Sequence, residues 1–178
     1  MFLKHLSRKH FSTTVNKLGV VGAGQMGTGI AIVGGWTAGL EVKILDMNEE
    51  RLAASRNFIE KWCDKEISKE RMTGDDKYSL LNRMSFALKF SEMNEADIVV
   101  EAVTEDFNLK KVIFSELAEK VKQEAILASN TSSISITKIA GTIPHRSANV
   151  IGMHFMNPVP VMKLVEVISG LQTSDATL

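Results

Sequence analysis

Disulfides, net charge and long apolar runs are all missing from this sequence. A single cysteine, Cys63, in 178 residues excludes an internal disulfide framework and a thiolate metal cluster, and agrees with a reducing compartment. Lys plus Arg equals Asp plus Glu, at 21 each, so no basic surface for nucleic acid or for an anionic membrane is indicated. No apolar stretch reaches membrane-spanning length, because polar residues interrupt Leu18–Leu40. There is neither an internal repeat nor a low-complexity segment. What remains, 44% hydrophobic and 24% charged, has the balance of one globular domain with a sizeable core.

Acidic residues are also missing before Glu41. In that stretch Lys4, His5, Arg8, Lys9 and His10 alternate with Phe2, Leu3, Leu6 and Phe11, and Ser12, Thr13 and Thr14 follow. A basic, hydroxyl-rich, acid-free start predicts a mitochondrial presequence over residues 1–16, and with it a location in the mitochondrial matrix. The competing reading is a ragged basic tail. The stretch lacks the apolar core of a secretory signal, and the C-terminal Ala-Thr-Leu is not a peroxisomal address.

From Lys17 onward strands alternate with helices. Short β-branched, apolar strands are predicted at 17–22, 42–46, 84–88, 98–102, 125–129, 150–154 and 164–168. Helices are predicted over 25–38, 49–71 and 109–121, with a break at Gly74-Asp75-Asp76 before a shorter helix through Leu81. This alternation predicts an α/β fold, a doubly wound, mostly parallel Rossmann-type sheet over residues 17–178.

Gly22-Ala23-Gly24-Gln25-Met26-Gly27 has the G-x-G-x-x-G spacing of a dinucleotide fingerprint, and it follows a predicted strand and opens a predicted helix. Gly22 permits the tight turn, Gly24 admits a pyrophosphate to the backbone, and Gly27 lets helix and strand pack closely. The helix amides at Gln25 and Met26 then face the phosphate charge. Asp46, 19 residues beyond Gly27, is placed to accept from both ribose hydroxyls and to repel a 2′-phosphate. NAD is therefore expected over NADP. The competing reading makes Asp46 or Asn48 a helix cap.

Glu105 and Lys110 follow the fourth strand's carboxyl end, where ligands bind in such sheets, although both could be ordinary charges at a helix start. Ser129-Asn130-Thr131-Ser132-Ser133 follows the next strand directly, either as ligand contacts or as a cap for the following helix. His154 ends one strand and Glu166 lies 12 residues on in the next. An antiparallel return after Asn157-Pro158-Val159-Pro160 would bring the carboxylate to the imidazole and make a general base. A lone histidine is more often structural. His145, beside Pro144, is predicted to be a surface residue.

The glycine motif, Val100-Glu101-Ala102, Ser129–Ser133 and the stretch GMHFMNPVPVMKLVEVI over Gly152–Ile168 together resemble the L-3-hydroxyacyl-CoA dehydrogenase family. The resemblance runs from Lys17 to the chain's end, with one small length difference between Ser132 and His154. It implies oxidation of a (3S)-3-hydroxyacyl-CoA to the 3-oxoacyl-CoA with NAD, a step of fatty-acid β-oxidation. By the same resemblance His154 is the catalytic base, Glu166 the carboxylate that orients it, and Ser132 the hydroxyl that bonds the reacting oxygen. Glu105, Lys110, Ser132 and Asn157 fall on cofactor-contacting positions. Residues 49–81 become a helical pair inserted after the second strand, with Lys69 near a lysine that contacts CoA. Trp62 stands where some members carry a CoA-contacting serine.

The resemblance further implies a later strand, a Gly-Phe-x-x-Asn-Arg stretch whose asparagine completes the catalytic set, and an all-helical dimerisation domain. All of these lie beyond Leu178. Residues 1–178 alone are therefore expected to turn over little substrate. A partner chain or a second copy is expected over an apolar surface. The alternative from another class is a non-catalytic NAD-binding module or structural subunit. A different NAD enzyme, such as a 3-hydroxy-acid dehydrogenase, lacks support at Gly152–Ile168.

Overall fold

The computed structural model describes residues 15–178, so most of the predicted presequence lies outside the described residues. Seven strands form one sheet: β1 (Lys17–Val21), β2 (Glu41–Leu45), β3 (Met84–Ala87), β4 (Ile98–Glu101), β5 (Ile126–Ser129), β6 (Val150–Phe155) and β7 (Val165–Ser169). Their order is β3-β2-β1-β4-β5-β6-β7, with every neighbour parallel except β6 and β7. Strand order reverses between the parallel neighbours β1 and β4, successive strands being added outward on either side, which places the expected ligand crevice at their carboxyl ends.

Both faces of the sheet are covered, so the central strands read as unbroken apolar runs. On one face Val20, Ile44, Val100 and Ala128 pack with α1 (Gln25–Trp36) and α2 (Glu49–Ser68). On the other, Val21, Val99 and Leu127 pack with α4 (Phe107–Lys120) and α5 (Ile136–Ala140). Helix α1 is apolar nearly all round and carries eight buried residues, as a helix held against a sheet should.

The helical pair is present between β2 and β3, as α2 and α3 (Gly74–Asn82). Boundaries shift by one or two residues at several elements, and two shifts in this pair have a clear local cause. Helix α2 stops at Ser68, three residues early, because Glu70 adopts a left-handed φ of 56° that no helix can continue through. Gly74 opens α3 where it was predicted to break a helix, since Thr73 and Asp76 form a reciprocal capping box that starts the helix there. Sequence periodicity also missed 3₁₀ turns at Phe90–Met93 and Pro144–Asn149 and the five-residue α5, all too short to show a period. His145 is exposed on the second of those turns.

Arg146, in contrast, is buried there, and its guanidinium donates to the carbonyls of Ala118, Val121, Lys122 and Ala125 at 3.1, 3.4, 2.7 and 3.0 Å. It thereby satisfies the carboxyl end of α4 and the turn after it, whose carbonyls have no helical partners.

Candidate active site

The glycine turn joins β1 to α1 at the crevice. Gly22 has φ +105°, a conformation that L side chains rarely adopt. A Cβ on Gly27 would stand 1.9 Å from the Gly22 carbonyl oxygen, so only glycine allows α1 to start so close to β1. A Cβ on Gly24 would meet nothing within 4 Å, which means open space lies over the start of α1. That start carries no acidic residue and no side-chain cap, leaving amides around Gln25 and the half-buried Met26 for an anion. Donor set, dipole and space fit a dinucleotide pyrophosphate.

Asp46 follows β2 directly. Its Oδ2 accepts from the Ala23 N–H at 3.0 Å and its Oδ1 from the Asn48 N–H at 3.0 Å. Two amides thus orient the carboxylate, and the acceptor capacity left over faces the crevice where a ribose would lie. The helix-cap role belongs to Asn48, whose Oδ1 accepts from the Arg51 N–H at 3.0 Å. Across the crevice Gln25 Nε2 donates to Asn157 Oδ1 at 3.2 Å, bringing these two predicted cofactor positions together.

The second wall comes from the loop after β5. Glu105 Oε1 accepts from the Thr131 hydroxyl, from the Ser132 and Ser133 N–H groups at 3.1 Å each, and from the Ser133 hydroxyl at 2.9 Å. Burial alone would push its carboxyl up. The Thr131 and Ser133 hydroxyls, the Lys110 charge and the Ser133 amide outweigh that and hold it at about 2. Ser135, not Ser132, caps α5, accepting from the Lys138 N–H at 3.3 Å. Among the described residues the Ser132 hydroxyl has no protein partner, and the residue is exposed.

Strands β6 and β7 pair antiparallel with His154 opposite Glu166. His154 Nδ1 lies 2.7 Å from Glu166 Oε2, and the two side chains are 24% and 52% exposed. Thr131, Ser132, Ser133, His154 and Glu166 line one cavity of about 300 Å³. The three residues expected to carry the chemistry therefore face the same space.

Two expected contacts stand elsewhere. Lys110 is a correction: its side chain is 1% exposed, held 2.7 Å from Glu101 and 3.4 Å from Glu105. It lies beneath the crevice because the first turn of α4 packs down against β4, and it meets the site only through Glu105. Lys69 ends α2 on an exposed turn and is not brought to the cavity. The sequence reads Asn130 and Thr131 only as part of a segment of ligand contacts or a helix cap; instead Thr131 grips Glu105 and Asn130 Oδ1 accepts from the Phe155 N–H at 2.9 Å. Sequence reasoning gave no role to Glu101, a carboxylate ending an apolar strand, and that misplaced charge was the available signal.

Fold and site together define a dinucleotide-binding α/β domain that carries a histidine–carboxylate pair. Residues 17–178 match the family described as "3-hydroxyacyl-CoA dehydrogenase, NAD binding domain". The chain belongs to that family, and NAD is its cofactor. It is 43% identical over 166 residues to the 3-hydroxybutyryl-CoA dehydrogenase of Bradyrhizobium diazoefficiens, covering 93% of this chain and 56% of the relative. It is 38% identical to the fatty acid oxidation complex subunit alpha of Acinetobacter baylyi, covering 97% of this chain and 24% of that one. The crystal structure of (S)-3-hydroxybutyryl-CoA dehydrogenase from Ralstonia eutropha superposes with a TM-score of 0.88 at 43% identity, over 92% of this chain and 57% of that one. The chain thus spans little more than half the length of such dehydrogenases.

Proposed function

We propose that this chain is the NAD-binding, base-bearing part of an enzyme that oxidises a (3S)-3-hydroxyacyl-CoA to the 3-oxoacyl-CoA in fatty-acid β-oxidation. The observation that carries the reading is the His154–Glu166 pair set in one cavity with Ser132. Because Glu166 engages Nδ1, Nε2 is the ring nitrogen left to take the substrate's hydroxyl proton. The carboxylate then stabilises the positive charge that arrives with the proton. The Ser132 hydroxyl donates to the substrate oxygen as it becomes a carbonyl. NAD, when bound, supplies the acceptor for the hydride leaving C3.

Relatives named for 3-hydroxybutyryl-CoA and for fatty acid oxidation support the substrate class. The helical pair α2–α3 and Lys69 would meet the CoA end. A partner, either a further segment or a second chain, would cover the apolar groove of about 640 Å³ where Met153, Phe155 and Val165 face α1. A matrix location rests on the composition of residues 1–16 alone; fusing them to a fluorescent protein and imaging it tests that address.

The main test is acetoacetyl-CoA reduction by the purified chain, with and without the separately produced carboxyl-terminal half of a relative. Activity on mixing, lost ~10²–10⁴-fold in His154→Ala, is expected. Unchanged turnover in that variant would sink the reading, and so would no turnover from the native chain in either condition.

A further inference from the structure

Beneath the Ser132 loop lies a series of charges that the reaction above does not use. Glu101, at the end of β4, is fully buried. Its Oε1 accepts from Lys110 Nζ at 2.7 Å and from the Val103 N–H at 2.8 Å, and its Oε2 accepts from the Ser129 hydroxyl at 2.6 Å. Lys110, equally buried, also faces Glu105 Oε2 at 3.4 Å. Glu105 is the one member that reaches solvent, with 39% of its side chain exposed, and its other oxygen carries the Thr131, Ser132 and Ser133 donors. The order is carboxylate, ammonium, carboxylate, running from the sheet to the catalytic loop.

A buried ammonium requires an anion close by, and here two compete for one cation. Glu101 makes the shorter contact, so the ammonium is balanced from below and Glu105 is held only loosely. Its Oε1 can then sit fully on the loop amides. With the charge of Glu101 gone, Glu105 would be the only anion left for Lys110, and the attraction would draw it inward, away from Ser132 and Ser133.

We propose that Glu101 is a positioning residue for Ser132: by balancing Lys110 it sets where Glu105 stands, and through Glu105 it sets the catalytic loop. The proposal rests on the reading of Ser132 as the hydroxyl that meets the substrate oxygen. What it asserts about Glu101 is nevertheless visible without turnover. A purely structural role for Glu101 needs shape and hydrogen bonds; this role needs its charge.

The test uses the full 178-residue chain, labelled with ¹⁵N, and follows the backbone amide resonances of Ser132 and Ser133. Glu101→Gln keeps the shape and removes the charge, and it should displace both resonances. Adding Lys110→Met to that variant removes the cation that draws Glu105 inward, so both resonances should return toward their native positions. Native positions in folded Glu101→Gln overturn the proposal, and so does equal displacement in the single and double variants. Should Glu101→Gln fail to fold, Glu101→Asp decides: native-like resonances support the charge role and displaced ones overturn it. The spectra need no substrate, so a negative result here is distinct from absent acetoacetyl-CoA turnover, which would overturn the reaction instead.

Discussion

Gln25 donates to Asn157 across 3.2 Å although 132 positions separate them in the chain. The bond ties the glycine turn of the first βα unit to the turn between β6 and β7. It also orients the Asn157 amide: with Oδ1 occupied, the NH₂ group is the end left to face a ligand.

Gln25→Ala should free that amide and weaken NADH binding modestly. A neutral, exposed hydrogen bond contributes about 0.5–1.5 kcal/mol, so the loss should be roughly 2–10-fold in Kd. Fluorescence titration of NADH measures it. Unchanged affinity would show that the bridge does not orient the cofactor site.

Asp46 should set cofactor choice. The native chain should bind NADH well and NADPH poorly. Asp46→Ala should narrow that preference by roughly 10–100-fold, the range for hydrogen bonds to a charged group. Competitive titration with both nucleotides reads the ratio. Comparable affinities in the native chain would contradict the assignment.

Glu105 gives a defined acid dependence. Its carboxyl is held at about 2 against an ordinary 4.5, so the folded state favours the ionised form. That contribution is complete above pH 4.5 and is lost as the pH falls from 4.5 toward 2. Glu105→Gln should be less stable than the native chain near neutrality, and the gap should close across that window. Urea denaturation at a series of pH values checks it; a gap that widens on acidification would refute the sign.

Arg146→Met should cost about 3 kcal/mol of stability, because it removes the donor shared by four carbonyls at the end of α4 and the turn after it. Arg146→Lys should recover little, since one ammonium cannot reproduce a planar fork aimed at four oxygens. Urea denaturation midpoints distinguish the three proteins, and a midpoint shared by all would mean the guanidinium is dispensable.

The parallel strands were legible because β-branched runs such as Ile98-Val99-Val100 have no other stable use between turn residues. The glycine turn was legible because its steric demands leave no alternative residue at Gly22 or Gly27. Helix ends were read less well: the stop at Ser68 depends on one left-handed residue and the start at Gly74 on a reciprocal cap, neither of which hydrophobic spacing registers. The placement of Lys110 was illegible for a different reason. Whether a lysine beyond a strand's carboxyl end points into the crevice or beneath it depends on the buried carboxylate that ends that same strand.

The antiparallel return of β7 makes the active site depend on counting. His154 faces Glu166, while its neighbours Met153 and Phe155 face Val167 and Val165 from the opposite side of the sheet. Sliding β7 by one position would set Val165 or Val167 against the imidazole and send the carboxylate to the apolar side. The nine-residue connection from Met156 to Leu164 therefore works as a ruler with an odd-and-even rule. Drift in its composition can be absorbed, but a single insertion that shifts the register would silence the base while leaving the nucleotide fold intact. Such a change would leave a protein that still holds NAD but has no carboxylate behind its cavity histidine.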